Sequence, residues 1–361
     1  MYENLCISCF EEKGNENSCP HCGYVESGGR KQTFLPAHCV LQERYLIGEV
    51  LSTDKNAVCY KALDMQQNRI VEVQEHFPRE LVTRDRSSLN LVPLQNNAQW
   101  PGKSVQKIFA SAKTMMQFSA CDGIMHIFDT FEANRTVYIV NEYLEGLLLD
   151  DYLKQCGGAV DINTALSVIV PILDGLAQLH KADLIHRAVT PKNIVITTDN
   201  TIKLINFVFL KEASPFKENE MTIYFSPGYA PYEQYVSTER RGAYSDIYSV
   251  GAVLYRMLVG KTPPDAIERK AEDTLRQALD ETDLPQQIKL CICKAMNMNK
   301  DIRFKSAADM KNALLDKTEM VDIDGIIDAG NTKKQALIIG GLAAVLVALL
   351  IILFIVINKY L

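Results

Sequence analysis

The sequence predicts an α+β chain in which a β-rich half precedes a helical half, with a small metal-binding segment in front and one membrane-spanning helix behind. Three observations carry this. Two Cys-x-x-Cys pairs, Cys6/Cys9 and Cys19/Cys22, fall within the first 26 residues. Short β-rich runs between Tyr45 and Val73 give way to apolar residues at helical spacing from Leu166 onward, and such segregation of strands and helices marks the α+β class. Ala336 to Ile357 is an unbroken apolar run.

The chain has 361 residues, 47% of them hydrophobic and 23% charged, enough to bury a sizeable core. A net charge of −6, with no basic patch interleaved with aromatics, argues against nucleic-acid binding. Of ten cysteines, four lie in the two pairs and six are scattered, as buried thiols are in a reducing compartment.

The cysteine pairs form the first segment, residues 1–26. Each pair presents two thiolates at a tight turn, and Gly23 allows the positive φ that such a knuckle needs. Four sulfurs suit a closed tetrahedral zinc site, so Cys6, Cys9, Cys19 and Cys22 are the expected ligands of one structural zinc. Redox pairs or a disulfide scaffold are the alternatives, but no strand-then-helix pattern surrounds either pair. A segment below about 40 residues has too little core to fold alone, so metal supplies its folding energy. It resembles a zinc ribbon.

Residues 27–43, with Gly28-Gly29-Arg30-Lys31 and Pro36, read as a linker. Strand patterns follow: Leu46, Ile47, Val50, then Val58 and Tyr60, then Ile70, Val71 and Val73. Val82 to Gln106 is polar and reads as a long loop. Ile108, Ala112, Met115 and Met116 mark a helix, and Phe128 to Glu142 two more strands. In the second half, Leu166, Ile169, Leu173, Leu176 and Leu179 make a helical stripe, and Ile194–Thr197 and Ile202–Ile205 make a hairpin turning at Asp199-Asn200.

The order of motifs in this half carries a family resemblance. His186-Arg-Ala-Val-Thr-Pro-Lys-Asn193, Ile205-Asn-Phe-Val208, Pro227-Gly-Tyr-Ala-Pro-Tyr-Glu233, Tyr244-Ser-Asp246 and Asp301-Ile-Arg303 occur in sequence. They resemble the catalytic loop, metal motif, activation-segment end, central helix and closing arginine of a eukaryotic-type serine/threonine protein kinase. Tyr60-Lys-Ala62 and Val71-Glu-Val-Gln74 resemble its small lobe. The resemblance implies a two-lobed protein-kinase-like fold over 44–316, with a small lobe at about 44–145 and a large lobe at about 146–316. An acidic juxtamembrane linker would then occupy 317–335 and a transmembrane helix 336–357.

Aligned on the family, the residues of phosphoryl transfer are replaced. Ser52, Asp54 and Ala57 stand at the three glycines of the phosphate-covering loop, where side chains obstruct phosphate and Asp54 repels it. Gln74 replaces the strand lysine, and Ser111 its glutamate partner. Glu72 replaces the small residue over the adenine, and Asn141 is the gatekeeper. Ala188 replaces the catalytic aspartate, Asn206 the magnesium aspartate and Val208 the motif's glycine, while Asn193 is retained. The structural residues Arg187, Glu233, Asp246 and Arg303 remain.

Bound ATP and magnesium are therefore not expected. The resemblance implies a membrane-anchored pseudokinase serving as a binding, scaffold or regulatory module in signalling, similar to bacterial kinases of that layout. The alternative is a weakly active serine/threonine kinase or an ATP-binding switch. The apolar run spans roughly 33 Å, one bilayer crossing. Lys333 and Lys334 before it, against Lys359 after it, favour a cytoplasmic ribbon and kinase-like domain. Gly340, Ala344 and Ala348 form a small-residue stripe suited to self-association. The protein partners are not readable from sequence.

Overall fold

The computed structural model describes residues 2–14, 17–25, 29–94, 100, 102–118, 121–206, 226–236 and 241–315. The apolar run 336–357, its stripe of Gly340, Ala344 and Ala348, the acidic segment 317–335 and the Phe207-Val208 pair all lie outside the described residues.

The β-rich half is one antiparallel sheet of six strands. These are β1 (Val40–Leu41), β2 (Tyr45–Thr53), β3 (Ala57–Asp64), β4 (Arg69–His76), β7 (Ile127–Ala133) and β8 (Thr136–Glu142), in the order β1-β2-β3-β4-β8-β7. Between β4 and β7 a small hairpin, β5 (Val82–Arg84) with β6 (Leu91–Pro93), precedes helix α1 (Gly102–Met115). Tyr45, Leu46 and Ile47 are all fully buried, so the start of β2 has both faces covered and shows no simple alternation, while its end at Ser52 and Thr53 is exposed. The stripe Ile108, Ala112 and Met115 buries α1 against β7 and β8. Asp64 closes the β3–β4 turn by accepting the Gln66 and Gln67 N–H groups and a bidentate pair from Arg44.

The second half is helical. After β9 (Gly146–Leu148) come α2 (Leu149–Gln155) and α3 (Ile162–Lys181), then β10 (Ile194–Thr197) and β11 (Ile202–Leu204), with β10 in the middle of a three-stranded sheet. Beyond them lie α4 (Ala243–Val259), α5 (Ala266–Ala271), α6 (Leu275–Asp280), α7 (Gln286–Ala295) and α8 (Ala307–Leu315). Asp161 caps α3 by accepting the Asn163 and Thr164 N–H groups. Ile169, Leu173, Leu176 and Leu179 face α4 and α8 with at most 1% exposure, each contributing about 1.5–3 kcal/mol of apolar burial. Helix α3 is also long and apolar enough to cross a membrane, but its stripe is the core of this half.

Two sequence expectations are corrected. The stretch 27–43 is no free linker: Phe34 and Leu35 are buried, the Leu35 N–H donates to the Tyr60 hydroxyl, and β1 pairs with β2. Two apolar residues seat it, too few to show as a pattern. The loop expected over 82–106 instead holds the β5–β6 hairpin and the start of α1, whose three-residue strands are too short for a periodic signal.

Candidate functional site

The residues that align with the family's nucleotide cleft lie at the β2–β3 turn, on β4 and β8, and in the loops after α3 and β11. On either side of the β2–β3 turn, Ser52 of β2 is exposed and Ala57, the first residue of β3, is buried. Between them Asp54 turns back on its own backbone. Its Oδ1 accepts the N–H of Asn56 at 2.6 Å and of Ala57 at 2.7 Å. A carboxylate thus occupies the N–H groups that such a loop would offer to an anion.

On β4, Glu72 lies opposite Asn141 of β8, and the Asn141 amide donates to its carboxylate at 3.0 Å. Burial pushes the Glu72 carboxyl above its usual range, opposed by hydrogen bonds from Asn141 and Cys59. Gln74, two residues on, is buried between β3 and β8. Ser111 is half-buried on α1. Neither supplies a charge to the cleft.

The loop after α3 is fixed from below. Asp246, fully buried at the start of α4, accepts the His186 N–H at 2.8 Å and the Arg187 N–H at 2.7 Å. His180, at the end of α3, meets the same carboxylate at 2.9 Å. Burial opposes the charge on Asp246, but the His180 hydrogen bond and the neighbouring ring and N–H groups outweigh it and hold the carboxyl below its usual range. Arg187 stands at φ 67°, a left-handed conformation costing about 1–3 kcal/mol outside glycine, which the Asp246 bond offsets. The His186 ring reaches the Ile205 carbonyl at 3.1 Å and ties this loop to the end of β11.

Ala188 follows with a methyl group only. Asn193 donates to the Ala188 carbonyl at 2.8 Å, and its side-chain oxygen accepts the Asn206 amide at 3.1 Å. Asn206 holds φ 62°, which an asparagine tolerates. The two amides are therefore bonded to each other. Neutral amide oxygens are weaker ligands for a hard cation than carboxylates. Beside them Arg187, Ala188, Thr190, Asn193, Tyr229 and Gln234 border a cavity of about 20 Å³, room for roughly one water.

Behind this loop Glu233 and Arg303 form a buried bidentate pair at 2.6 and 3.1 Å. Ser245 donates to the same carboxylate, and Arg303 also reaches the carbonyls of Tyr244 and Asn297. Every group of the pair is satisfied, the condition for a buried ion pair to persist.

Two features escape the sequence patterns. His180 continues the α3 stripe one turn past Leu176, a position that asks a histidine for a buried partner. Glu75 shares a strand face with Val71 and Val73, fully buried, and bonds Arg84 at 2.5 Å and the hydroxyls of Tyr60 and Tyr138. Burial works against the Arg84 charge, and Glu75 outweighs it. The period of two along β4 points to Glu75 as an inward residue.

In the N-terminal segment, the sulfurs of Cys6, Cys9, Cys19 and Cys22 lie within 4.8 Å of one another, with Cys6–Cys22 at 3.7 Å and Cys9–Cys19 at 3.6 Å. A tetrahedral zinc with bonds of about 2.3 Å sets its sulfurs about 3.8 Å apart, so the cluster fits a metal such as zinc. The two knuckles repeat: Phe10 at φ 63° follows the first pair as Gly23 at φ 72° follows the second. Isolated bridges Leu5–Glu12 and Ser18–Val25 bracket them.

Comparisons with known proteins agree with the architecture. A sequence model of the protein kinase domain matches residues 93–321. A probable serine/threonine-protein kinase of Clostridium acetobutylicum is 31% identical over 232 residues, which are 63% of this chain and 32% of its own. The serine/threonine-protein kinase PknB of Mycolicibacterium smegmatis is 28% identical over 296 residues, 78% of this chain and 43% of its own. The chain thus spans 32–43% of the length of these relatives. A solved chain described as PpkA-294 apo form superposes with a TM-score of 0.65 at 23% identity, covering 78% of this chain and 99% of that one, a likeness of fold.

Proposed function

Because this chain belongs to the protein kinase family, we propose that it is a member that keeps the fold without the phosphotransfer, a pseudokinase acting as a binding, scaffold or regulatory module. Phosphoryl transfer depends on positioning and on charge supplied by a lysine, magnesium and a catalytic carboxylate. Gln74, Ser111, Ala188 and Asn206 supply none of these charges. The observation that carries the reading is that the cleft's polar groups bond one another: Asp54 with its own loop, Glu72 with Asn141, and Asn193 with Asn206.

The retained ties Asp246, Glu233, Arg187 and Arg303 serve in this reading to hold a rigid binding surface. The four cysteines hold a structural zinc. The apolar run 336–357 anchors the chain in a membrane, with the ribbon and kinase-like domain on the cytoplasmic side and Gly340, Ala344 and Ala348 available for self-association. A weakly active kinase or nucleotide switch is the second reading, favoured by the retained Asn193 and by relatives named as kinases.

Phosphate incorporation into the chain itself and into a generic protein substrate, with ATP and magnesium or manganese, separates the two. The pseudokinase reading predicts no incorporation above background. Incorporation abolished by Asn193→Ala and Asn206→Ala overturns it.

A further inference from the structure

Among the described residues, the cysteine segment meets the strand sheet at Gly48 and Glu49 of β2. The Glu49 N–H donates to the Ile7 carbonyl at 2.9 Å, and Ser8 Oγ donates to the Glu49 carboxylate at 2.8 Å. His38 Nε2 lies 2.9 Å from the Leu5 carbonyl, and Arg30 donates to the Gly48 carbonyl at 2.7 Å. Ile7 and Ser8 lie between Cys6 and Cys9, so the groups that bond Glu49 of the sheet are those whose positions the sulfurs set, while Leu5, before Cys6, meets His38 of the stretch that leads into β1. Phe10, just past the knuckle, packs on Gly48: a Cβ there would stand 2.2 Å from the Ile7 oxygen and 2.6 Å from the Phe10 ring.

The contact falls at a break in the sheet. The register of β2 against β3 shifts between Ile47 and Val50, so Gly48 and Glu49 form a bulge that β3 does not bond in step. The Glu49 N–H freed by that bulge is the one Ile7 takes. Strand β2 then runs on into the Ser52–Ala57 loop, where Asp54 folds back on its backbone.

We propose that metal occupancy of the four-sulfur site governs the order of β2, and through it the β2–β3 loop at the mouth of the cleft. This rests on the cluster holding a thiophilic divalent metal, of which zinc is the expected one. With metal bound, the first knuckle clamps the bulge. Without metal, a segment of this size has no core to hold its shape, and Ile7, Ser8 and Phe10 leave Gly48 and Glu49. The bulge amide then faces water and the strand exchanges more freely. The ribbon is thereby a metal-dependent brace on the small lobe.

Amide hydrogen exchange on the full chain in detergent, zinc-loaded and then stripped by a chelator, tests this, with zinc content measured in both samples. The expected result is about tenfold faster exchange from Glu49 to Thr53 on stripping, with α3 unchanged as proof that the large lobe stays folded. Gly48→Ala, which collides with Ile7, is expected to keep about one zinc per chain while the same amides exchange fast with or without chelator. Equal exchange in the loaded and stripped chains, or full protection in Gly48→Ala, overturns the proposal. A chain without zinc as purified overturns the four-sulfur reading instead, and this inference with it.

Discussion

Asp54 and Ala57 form a closed loop of their own: the carboxylate accepts the Ala57 N–H at 2.7 Å, while the Asp54 N–H donates to the Ala57 carbonyl at 3.0 Å. Removing the carboxylate leaves the Asn56 and Ala57 N–H groups without that acceptor. Asp54→Ala is therefore expected to cost about 1 kcal/mol, as lost caps do. Asp54→Asn, which keeps an oxygen, should cost less. A lower urea midpoint at unchanged slope is the reading to look for. Neither change should bring ATP binding, since Glu72, Gln74 and Asn206 remain.

The Glu233–Arg303 pair predicts an asymmetric response. Arg303→Met strands a buried carboxylate with Ser245 as its remaining donor, at a cost of about 3–5 kcal/mol. Replacing Glu233 and Arg303 together by apolar residues should recover much of that loss. Equal losses in the single and double variants, measured by urea unfolding, would show that the charge pairing itself contributes little.

Several of these contacts are legible in the sequence because they are carried by motifs of fixed spacing. The paired cysteines, the α3 stripe and the order His186, Asn193, Glu233, Asp246, Arg303 are of this kind. Residues 29–41 and 82–94 are not legible, for a physical reason. Their order comes from long-range contacts such as Leu35 with Tyr60, and Arg84 with Glu75 and the Thr33 carbonyl, and local polarity hides it. The mutual bonding of Asn193 with Asn206, and of Asp54 with its own loop, is equally out of reach. Residue types alone foretell weak or repelled ligands, and geometry adds that these groups are already engaged.

His76 makes stability depend on pH. Its ring is buried beside the Trp100 ring at 5.6 Å, with the Asn56 backbone as a hydrogen-bond neighbour that opposes part of the burial. Burial pushes its pKa from 6.5 down to about 4. Between those values the unfolded chain binds the proton and the folded chain does not. The His76 contribution is therefore fully present above about pH 6.5, falls by up to about 1.4 kcal/mol per pH unit below that, and levels off near pH 4. His76→Leu should flatten this slope in chemical unfolding at pH 5 and pH 7. An unchanged slope would assign the dependence to other groups.

Ala188→Asp alone should restore no phosphotransfer. Groups that act as a unit are not additive, and a carboxylate at 188 finds neither the strand lysine nor a charged magnesium ligand. Turnover by this single variant would mean that Gln74 and Asn206 are compensated elsewhere in the cleft.

The proposed loss of nucleotide binding from this kinase fold is tested by a thermal shift of the purified chain with millimolar ATP and magnesium. A ligand present at about 100 times its dissociation constant adds roughly 2.7 kcal/mol to stability, a plain rise in melting temperature. The cleft bonded to itself through Asp54, Glu72 and Asn206 predicts no magnesium-dependent rise. A clear rise that magnesium strengthens, and that Asn193→Ala with Asn206→Ala removes, would contradict it.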